Sequence, residues 1–304
     1  MKARASVRIV EVSPRDGLQA EARVVPAAVK IELIGRLGDA GLRVVEATSF
    51  VSPARIPQLA DAAEVLRGIV RKPGVAYPVL VPNLRGLEEA LAAGAREIAV
   101  FGAATETFSE KNIHCSVAES LARFEPVVAR AKAERMHVRG YLSCVVACPY
   151  EGPVAPERAA AVAKALWGLG CDELSLGDTV GKGNPETVRW MIEACAAAVP
   201  VERLAGHYHD TYGMAVANVL ASHELGVTTF DGSVAGLGGC PYAPGAAGNV
   251  ATEELVWLFE GMGIATGVDL PKLVAAGRFA AEAVGAPNRS RVAAALARPV
   301  TPPR

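Results

Sequence analysis

The chain has 304 residues, is 51% hydrophobic and 21% charged, and carries a formal net charge of −1. Near neutrality provides no electrostatic footprint for nucleic acid or an anionic membrane surface, and no apolar run approaches the ~20 residues that a membrane span needs. Six cysteines make no disulfide framework in a chain this long, which points to a reducing compartment, the cytoplasm. The first strand-like run starts within a few residues of Met1, so no signal or transit peptide is expected.

The dominant rhythm is a short β-branched run, a polar or glycine-bearing end, then an alanine- and leucine-rich helix. Val7–Val12 is the first predicted strand, ending in a loop Ser-Pro-Arg-Asp-Gly at 13–17. A helix follows from Pro26, with Ile31, Leu33, Ile34 and Leu37 at helical spacing and the proline suited to a first turn. Further strands are expected at Leu42–Thr48, Val75–Val81, Glu97–Phe101, Val138–Val146, Glu173–Leu176, around His207, and at Thr228–Val234. A polar loop is expected at Thr105–Asn112.

Eight strand-then-helix units, with crossovers long enough for parallel pairing, predict a single-domain α/β fold, a (β/α)8 TIM barrel spanning 1–304. Helices at Glu253–Met262, Leu270–Val284 and Ser290–Ala297 exceed that count and predict a C-terminal helical appendage over about 252–297. The tail Arg298–Arg304 has three prolines and is expected to fray.

Chemistry in such a barrel sits at the C-terminal ends of the strands. The polar residues predicted there are Arg15, Asp16, Glu46, Thr48, Tyr141, Asp178, Thr179, His207 and His209, with Cys240 just past the last strand. His207 and His209 are two apart, which in a strand puts both imidazoles on one face. With Asp16 they make a mixed nitrogen and oxygen donor set suited to Mg2+ or Mn2+, and the donors alone leave Zn2+ open. Asp178 in Leu-Gly-Asp-Thr-Val-Gly also reads as an ordinary turn aspartate. Cys240, in a glycine-rich loop at the rim, is expected to be more exposed than Cys115, Cys144, Cys148, Cys171 and Cys195, which read as packing residues. His114, His137 and His223 read as surface or packing histidines, with a substrate contact by His114 and Lys111 the alternative. The glycines of 236–248 lack a following Lys-Ser/Thr in P-loop spacing, which argues against a nucleotide site of that kind.

At these residues the sequence resembles the hydroxymethylglutaryl-CoA lyase family of metal-dependent aldolase-type barrels. The segments that carry the resemblance are Glu-Val-Ser-Pro-Arg-Asp-Gly-Leu-Gln (11–19), Val-Glu-Ala-Thr-Ser-Phe-Val-Ser-Pro (45–53), Gly-Tyr-Leu-Ser-Cys (140–144) and Cys-Pro-Tyr-Glu-Gly (148–152). They continue through Leu-Gly-Asp-Thr-Val-Gly (176–181), His-Tyr-His-Asp-Thr-Tyr-Gly (207–213), Ser-Val-Ala-Gly-Leu-Gly-Gly-Cys-Pro-Tyr-Ala (233–243) and Gly-Asn-Val-Ala-Thr-Glu (248–253). The 233–243 segment is the most specific. Two departures stand out: Ala20 and Ala22 replace a common Asn and Lys, and Tyr208 replaces a frequent Cys between the histidines.

The resemblance implies metal ligation by Asp16, His207, His209 and Asn249, and active-site roles for Cys240, Arg15, Glu46 and Asp178. It places Arg15, Tyr141, Ser49 and Thr179 near the substrate. The implied reaction is retro-Claisen cleavage of 3-hydroxy-3-methylglutaryl-CoA to acetoacetate and acetyl-CoA, in leucine degradation. Asp16, His207 or Asp178 would take the hydroxyl proton, Arg15 would offset the enolate charge, and Cys240 would protonate the enolate carbon. An acyl-CoA substrate is the implied partner, with a homo-oligomer expected and neither nucleic acid nor membrane. The alternatives are the same cleavage on a longer branched 3-hydroxyglutaryl-CoA, an acyl-CoA-condensing synthase of the isopropylmalate or homocitrate kind, or an inactive scaffold barrel. His209-Asp210-Thr211 and Cys240 weigh against the synthase, and the complete donor set weighs against the scaffold.

Overall fold

The computed structural model describes residues 5–239 and 248–297. The strands are β1 (Arg8–Glu11), β2 (Val44–Val45), β3 (Thr48–Ser49), β4 (Val79–Leu80), β5 (Glu97–Ala103), β6 (His137–Ser143), β7 (Ala147–Cys148), β8 (Gly152–Pro153), β9 (Glu173–Asp178), β10 (Leu204–Tyr208) and β11 (Thr229–Gly232). All but β7 and β8 lie in one parallel sheet of order β2-β1-β11-β10-β9-β6-β5-β4-β3. β7 and β8 make a small antiparallel hairpin of their own.

The two ends of that sheet are halves of one extended segment. β2 pairs with β1 and β3 with β4. Between them Glu46 N donates to Glu11 O at 2.9 Å while Ala47 N donates to Pro78 O at 2.9 Å on the other side. The predicted second strand, 42–48, therefore closes the sheet into the TIM barrel.

The helices are α1 (Ala27–Asp39), α2 (Ala62–Gly68), α3 (Leu84–Ala92), α4 (Glu106–Ile113), α5 (Val117–Ala133), α6 (Pro156–Gly168), α7 (Pro185–Ala196), α8 (Ala215–Glu224), α9 (Thr252–Gly261), α10 (Leu270–Val284) and α11 (Arg291–Leu296). Their starts follow sequence chemistry. The Ser116 side chain accepts from Glu119 N in a reciprocal capping box, and Asn184 and Asp269 accept from first-turn amides ahead of a proline, satisfying donors a helix leaves unpaired. Buried Leu33, Ile34 and Leu37 turn α1 toward the sheet. α9 packs against α8, β1 and β11 and so takes the place of the helix after the last barrel strand. The helices additional to the barrel are α10, which lies on α1 and the 234–236 turn, and α11, which lies on α9.

Two local expectations are corrected. Within Thr105–Asn112, Thr105 is an extended N-cap and Glu106–Asn112 is helical, forming most of α4. Its sequence lacks an apolar stripe, but Phe108 and Ser109 are buried, Glu151 accepts from Thr107 N at 2.9 Å, and His114 ends the helix at φ 54°. Those anchors are distant or positional, so periodicity could not find them. Ser13–Gly17 is not an open loop but a single π-helical turn, with Asp16 N and Gly17 N both donating to Val12 O at 2.8 and 3.1 Å. Such turns recur at functional sites.

α9 begins on a buried acid. Glu253 accepts from Ala235 N with both carboxylate oxygens at 3.1 Å, and burial pushes its pKa up to about 8 against the ordinary 4.5. A carboxyl raised in the folded state favours folding fully below its unfolded pKa, and that contribution is lost as pH rises through the folded value. Glu253→Gln, which cannot ionise, should therefore melt progressively higher relative to the parent as pH goes from 5 to 8, by a few degrees at the upper end. Thermal melts across that range check it.

Candidate active site

At the C-terminal end of the barrel a cavity of about 810 Å³ is lined by Arg15, Asp16, Tyr141, Thr179, His207 and His209, among others. The π-turn after β1 carries Arg15 and Asp16 to it together. Arg15 Nε donates to Glu46 Oε2 at 2.7 Å and its Nη1 to Asp16 Oδ1 at 2.6 Å, and the guanidinium sits 5.0 Å from the centroid of the Tyr141 ring. Tyr141 in turn donates to Glu46 Oε2 at 3.1 Å. Burial would drive the Arg15 pKa down, but Glu46 and Asp16 outweigh it and raise it. The result is a fixed cation facing the cavity.

β10 ends in the histidine pair. The His207 and His209 ring centroids are 5.3 Å apart, and donor atoms of Asp16, His207 and His209 all lie within 4.8 Å of one another. A short antiparallel bridge pairs His209 with Asn249, with Val250 N donating to Tyr208 O at 3.0 Å. That bridge carries Asn249 into the cluster, where its Nδ2 donates to Asp16 Oδ2 at 2.8 Å and Leu237 O at 3.2 Å. The approach is so close that a Cβ on Gly238, at φ +114°, would meet Asn249 Nδ2 at 2.8 Å. Only glycine suits that backbone.

These residues fit a divalent cation. His209 Nδ1 is buried with no hydrogen-bond partner, an expensive state for a ring nitrogen without a ligand. Burial, with His207 beside it, lowers the His209 pKa to about 4 against the opposing pull of Asp16, so the imidazole is neutral near pH 7. Burial alone would raise Asp16, but Arg15, His207 and His209 outweigh it and hold the carboxylate at about 2. An anionic oxygen and a neutral imidazole are the protonation states that ligation requires.

Not every predicted site residue turns toward the cavity. Asp178 is buried, and its oxygens accept from Lys182 N at 3.2 Å and Gly183 N at 2.7 Å. Burial raises its pKa to about 6 against those amides. It pairs in register with Tyr208, which shares its outward face, and so serves the turn after β9. Ser49 is buried beside Phe50, Leu59 and Ala62 under α2, also on the helix side. Thr179 does line the cavity, accepting from Cys144 N at 2.9 Å. Cys240 lies outside the described residues; Gly239, the residue before it, lines the cavity. The other five cysteines are buried, and Cys115, Cys148, Cys171 and Cys195 are free thiols.

Tyr208 is 1% exposed and its hydroxyl shares a 2.6 Å hydrogen bond with Ser222 Oγ, on the face opposite the histidines. Tyr208→Phe should cost about 0.5–1.5 kcal/mol of stability and leave metal affinity unchanged, as paired denaturant and Mn2+ titrations would show.

Sequence reasoning missed two groups. Arg55, Lys111, His114 and Arg123 make part of the cavity wall basic; Lys111 and His114 were legible only as an alternative reading, and α4 is what brings them to the wall. Behind His207, the buried cluster Arg139, Ser175 and Asp231 had one usable signal: charged residues inside apolar barrel strands.

The HMGL-like family profile matches residues 6–280. The mitochondrial hydroxymethylglutaryl-CoA lyase of Bos taurus is 56% identical over 289 residues, covering 95% of this chain and 89% of that protein. The crystal structure of hydroxymethylglutaryl-CoA lyase from Pseudomonas aeruginosa superposes with a TM-score of 0.95 at 53% identity, covering 98% of this chain and 99% of the other. An HMG-CoA lyase from Acinetobacter baumannii, solved with coenzyme A and 3-methylmalate, gives a TM-score of 0.92 at 36% identity over 98% of this chain and 97% of its own. With a profile match over most of its length and relatives more than half identical across it, the chain belongs to the HMGL-like family.

Proposed function

We propose that the chain, acting as one domain, cleaves 3-hydroxy-3-methylglutaryl-CoA to acetoacetate and acetyl-CoA with a divalent cation, Mg2+ or Mn2+, held by Asp16, His207, His209 and Asn249. The observation that carries this reading is the meeting of Asp16, His207 and His209 beside Arg15 in one cavity, in a chain 56% identical to a named hydroxymethylglutaryl-CoA lyase. The cation, when bound, supplies Lewis acidity toward the substrate's tertiary hydroxyl.

The residues divide the remaining work. Asp178 is committed to backbone amides and His207 Nδ1 faces Asp231 while its other nitrogen serves the cation, which leaves Asp16 to receive the hydroxyl proton. Breaking the carbon–carbon bond leaves a thioester enolate, and the guanidinium of Arg15, locked between Glu46 and Asp16, is already oriented to offset its charge. Glu46 and Tyr141 hold Arg15 in place. Cys240 then protonates the enolate carbon as general acid; the cavity position of Gly239 supports its reach. The basic wall of Arg55, Lys111 and Arg123 complements the phosphates of an acyl-CoA.

Acetoacetate release from the CoA ester, assayed with and without EDTA, tests the reading. Release abolished by EDTA and restored by Mg2+ or Mn2+ is expected; no release under any condition would end it, and a panel of 3-alkyl homologues would expose a preference for longer substrates. We further propose a cytoplasmic homo-oligomer, dimer or larger, serving leucine degradation. The buried thiols of Cys115, Cys148, Cys171 and Cys195 suit a reducing compartment.

A further inference from the structure

The two histidines of the candidate metal centre are held differently. His209 Nδ1 has no protein partner, whereas His207 Nδ1 lies 3.1 Å from Asp231 Oδ2. Asp231 comes from β11, the strand paired with β10, and is 1% exposed. It is itself fixed from two other strands: Arg139 Nη2 in β6 donates to Oδ1 at 2.5 Å, and Ser175 Oγ in β9 donates to Oδ2 at 2.8 Å. Arg139 is anchored in turn by Glu173, 3.2 Å from its Nε.

We propose that Asp231 is the positioning residue of this centre, fixing His207 in the tautomer that carries its proton on Nδ1 and leaves the Nε2 lone pair for the cation. The inference rests on the metal-centre reading above. A carboxylate has only acceptors to offer, so the ring nitrogen facing it must be the donor. In the neutral imidazole the other nitrogen is then the free acceptor, the form in which histidine ligates. Three strands converge on one carboxylate, so the ring is set by the barrel's rigid part rather than by the rim loops. Arg139 and Ser175 hold Asp231 in place.

Asp231→Asn is the sharpest variant because it keeps shape and turns an acceptor into a donor at the position that His207 Nδ1 and Ser175 Oγ share, where the Ser175 hydroxyl can rotate to accept. Arg139 can only donate, so the new amide must give it the oxygen and turn its NH2 toward His207. The imidazole then accepts at Nδ1 and carries its proton on Nε2, the nitrogen the cation needs. The probes are Mn2+ alone, titrated at equilibrium into metal-free protein, and the imidazole 15N shifts of His207. The parent should show His207 protonated on Nδ1, and the variant on Nε2 with Mn2+ bound about 10–100-fold more weakly.

A purely structural role for Asp231 would lower the melting temperature while leaving the tautomer and the Mn2+ affinity of the folded protein unchanged, which would overturn the inference alone. Should Asp231→Asn fail to fold, the parent decides: His207 protonated on Nε2 in the metal-free parent overturns it, and Nδ1 protonation supports it. Absence of Mn2+ binding by a well-folded parent would instead remove the metal centre itself and this inference with it.

Discussion

Cys240→Ser should bind Mg2+ or Mn2+ as the parent does and lose about 10²–10⁴ of turnover, the range a positioned general acid contributes. A thiol gives up a proton near pH 8.5, close enough to neutrality to deliver it and recover it; a hydroxyl does not. No thiolate is needed in the donor set, since Asp16, His207 and His209 already cluster. The same substitution therefore separates two roles that a lost activity alone would confuse. Metal titration beside steady-state kinetics decides it: if raising Mn2+ restores the variant, Cys240 is a ligand and the proton comes from elsewhere.

The opposite behaviour is expected of His209→Ala. Here a donor is removed while the acid and Arg15 stay, so the defect is in occupancy. Affinity should fall by more than the about 10–100-fold that loss of an outer partner costs, and turnover at low metal should collapse, then partly recover as Mn2+ is raised, because occupancy follows mass action. Asn249→Ala should resemble it in kind, since that residue reaches the cluster through its bridge to His209 and its hydrogen bond to Asp16. An Asn249→Ala protein with parental metal affinity would strike that residue from the ligand set.

What could be read from the sequence follows from which physics is local. The alternation of strand and helix and the same-face spacing of His207 and His209 are short-range patterns, and the barrel and the imidazole pair were legible in them. Asp16 could be joined to the histidines because barrel strands share one rim. Asn249 needed the resemblance, because what brings it in is a bridge between residues 209 and 249 that no periodicity encodes. Facing was the weak point. Asp178 and Ser49 occupy rim-like positions in the chain yet turn to the helix layer, since a strand end that bends or stops resets the alternation. α4 was hidden because its anchors lie elsewhere in the chain, and Asp231 because a strand acid declares its purpose only when His207, Arg139 and Ser175 are seen around it.

In the proposed function, a cation at Asp16, His207 and His209 is what makes this barrel a lyase. Titrating Mn2+ into metal-free protein while following acetoacetate release in the same samples tests it most directly. Turnover should start near zero and climb in step with occupancy to a plateau at about one ion per chain, the one-site stoichiometry of mass-action binding. Undiminished release from the metal-free protein, or full occupancy without release, would contradict it.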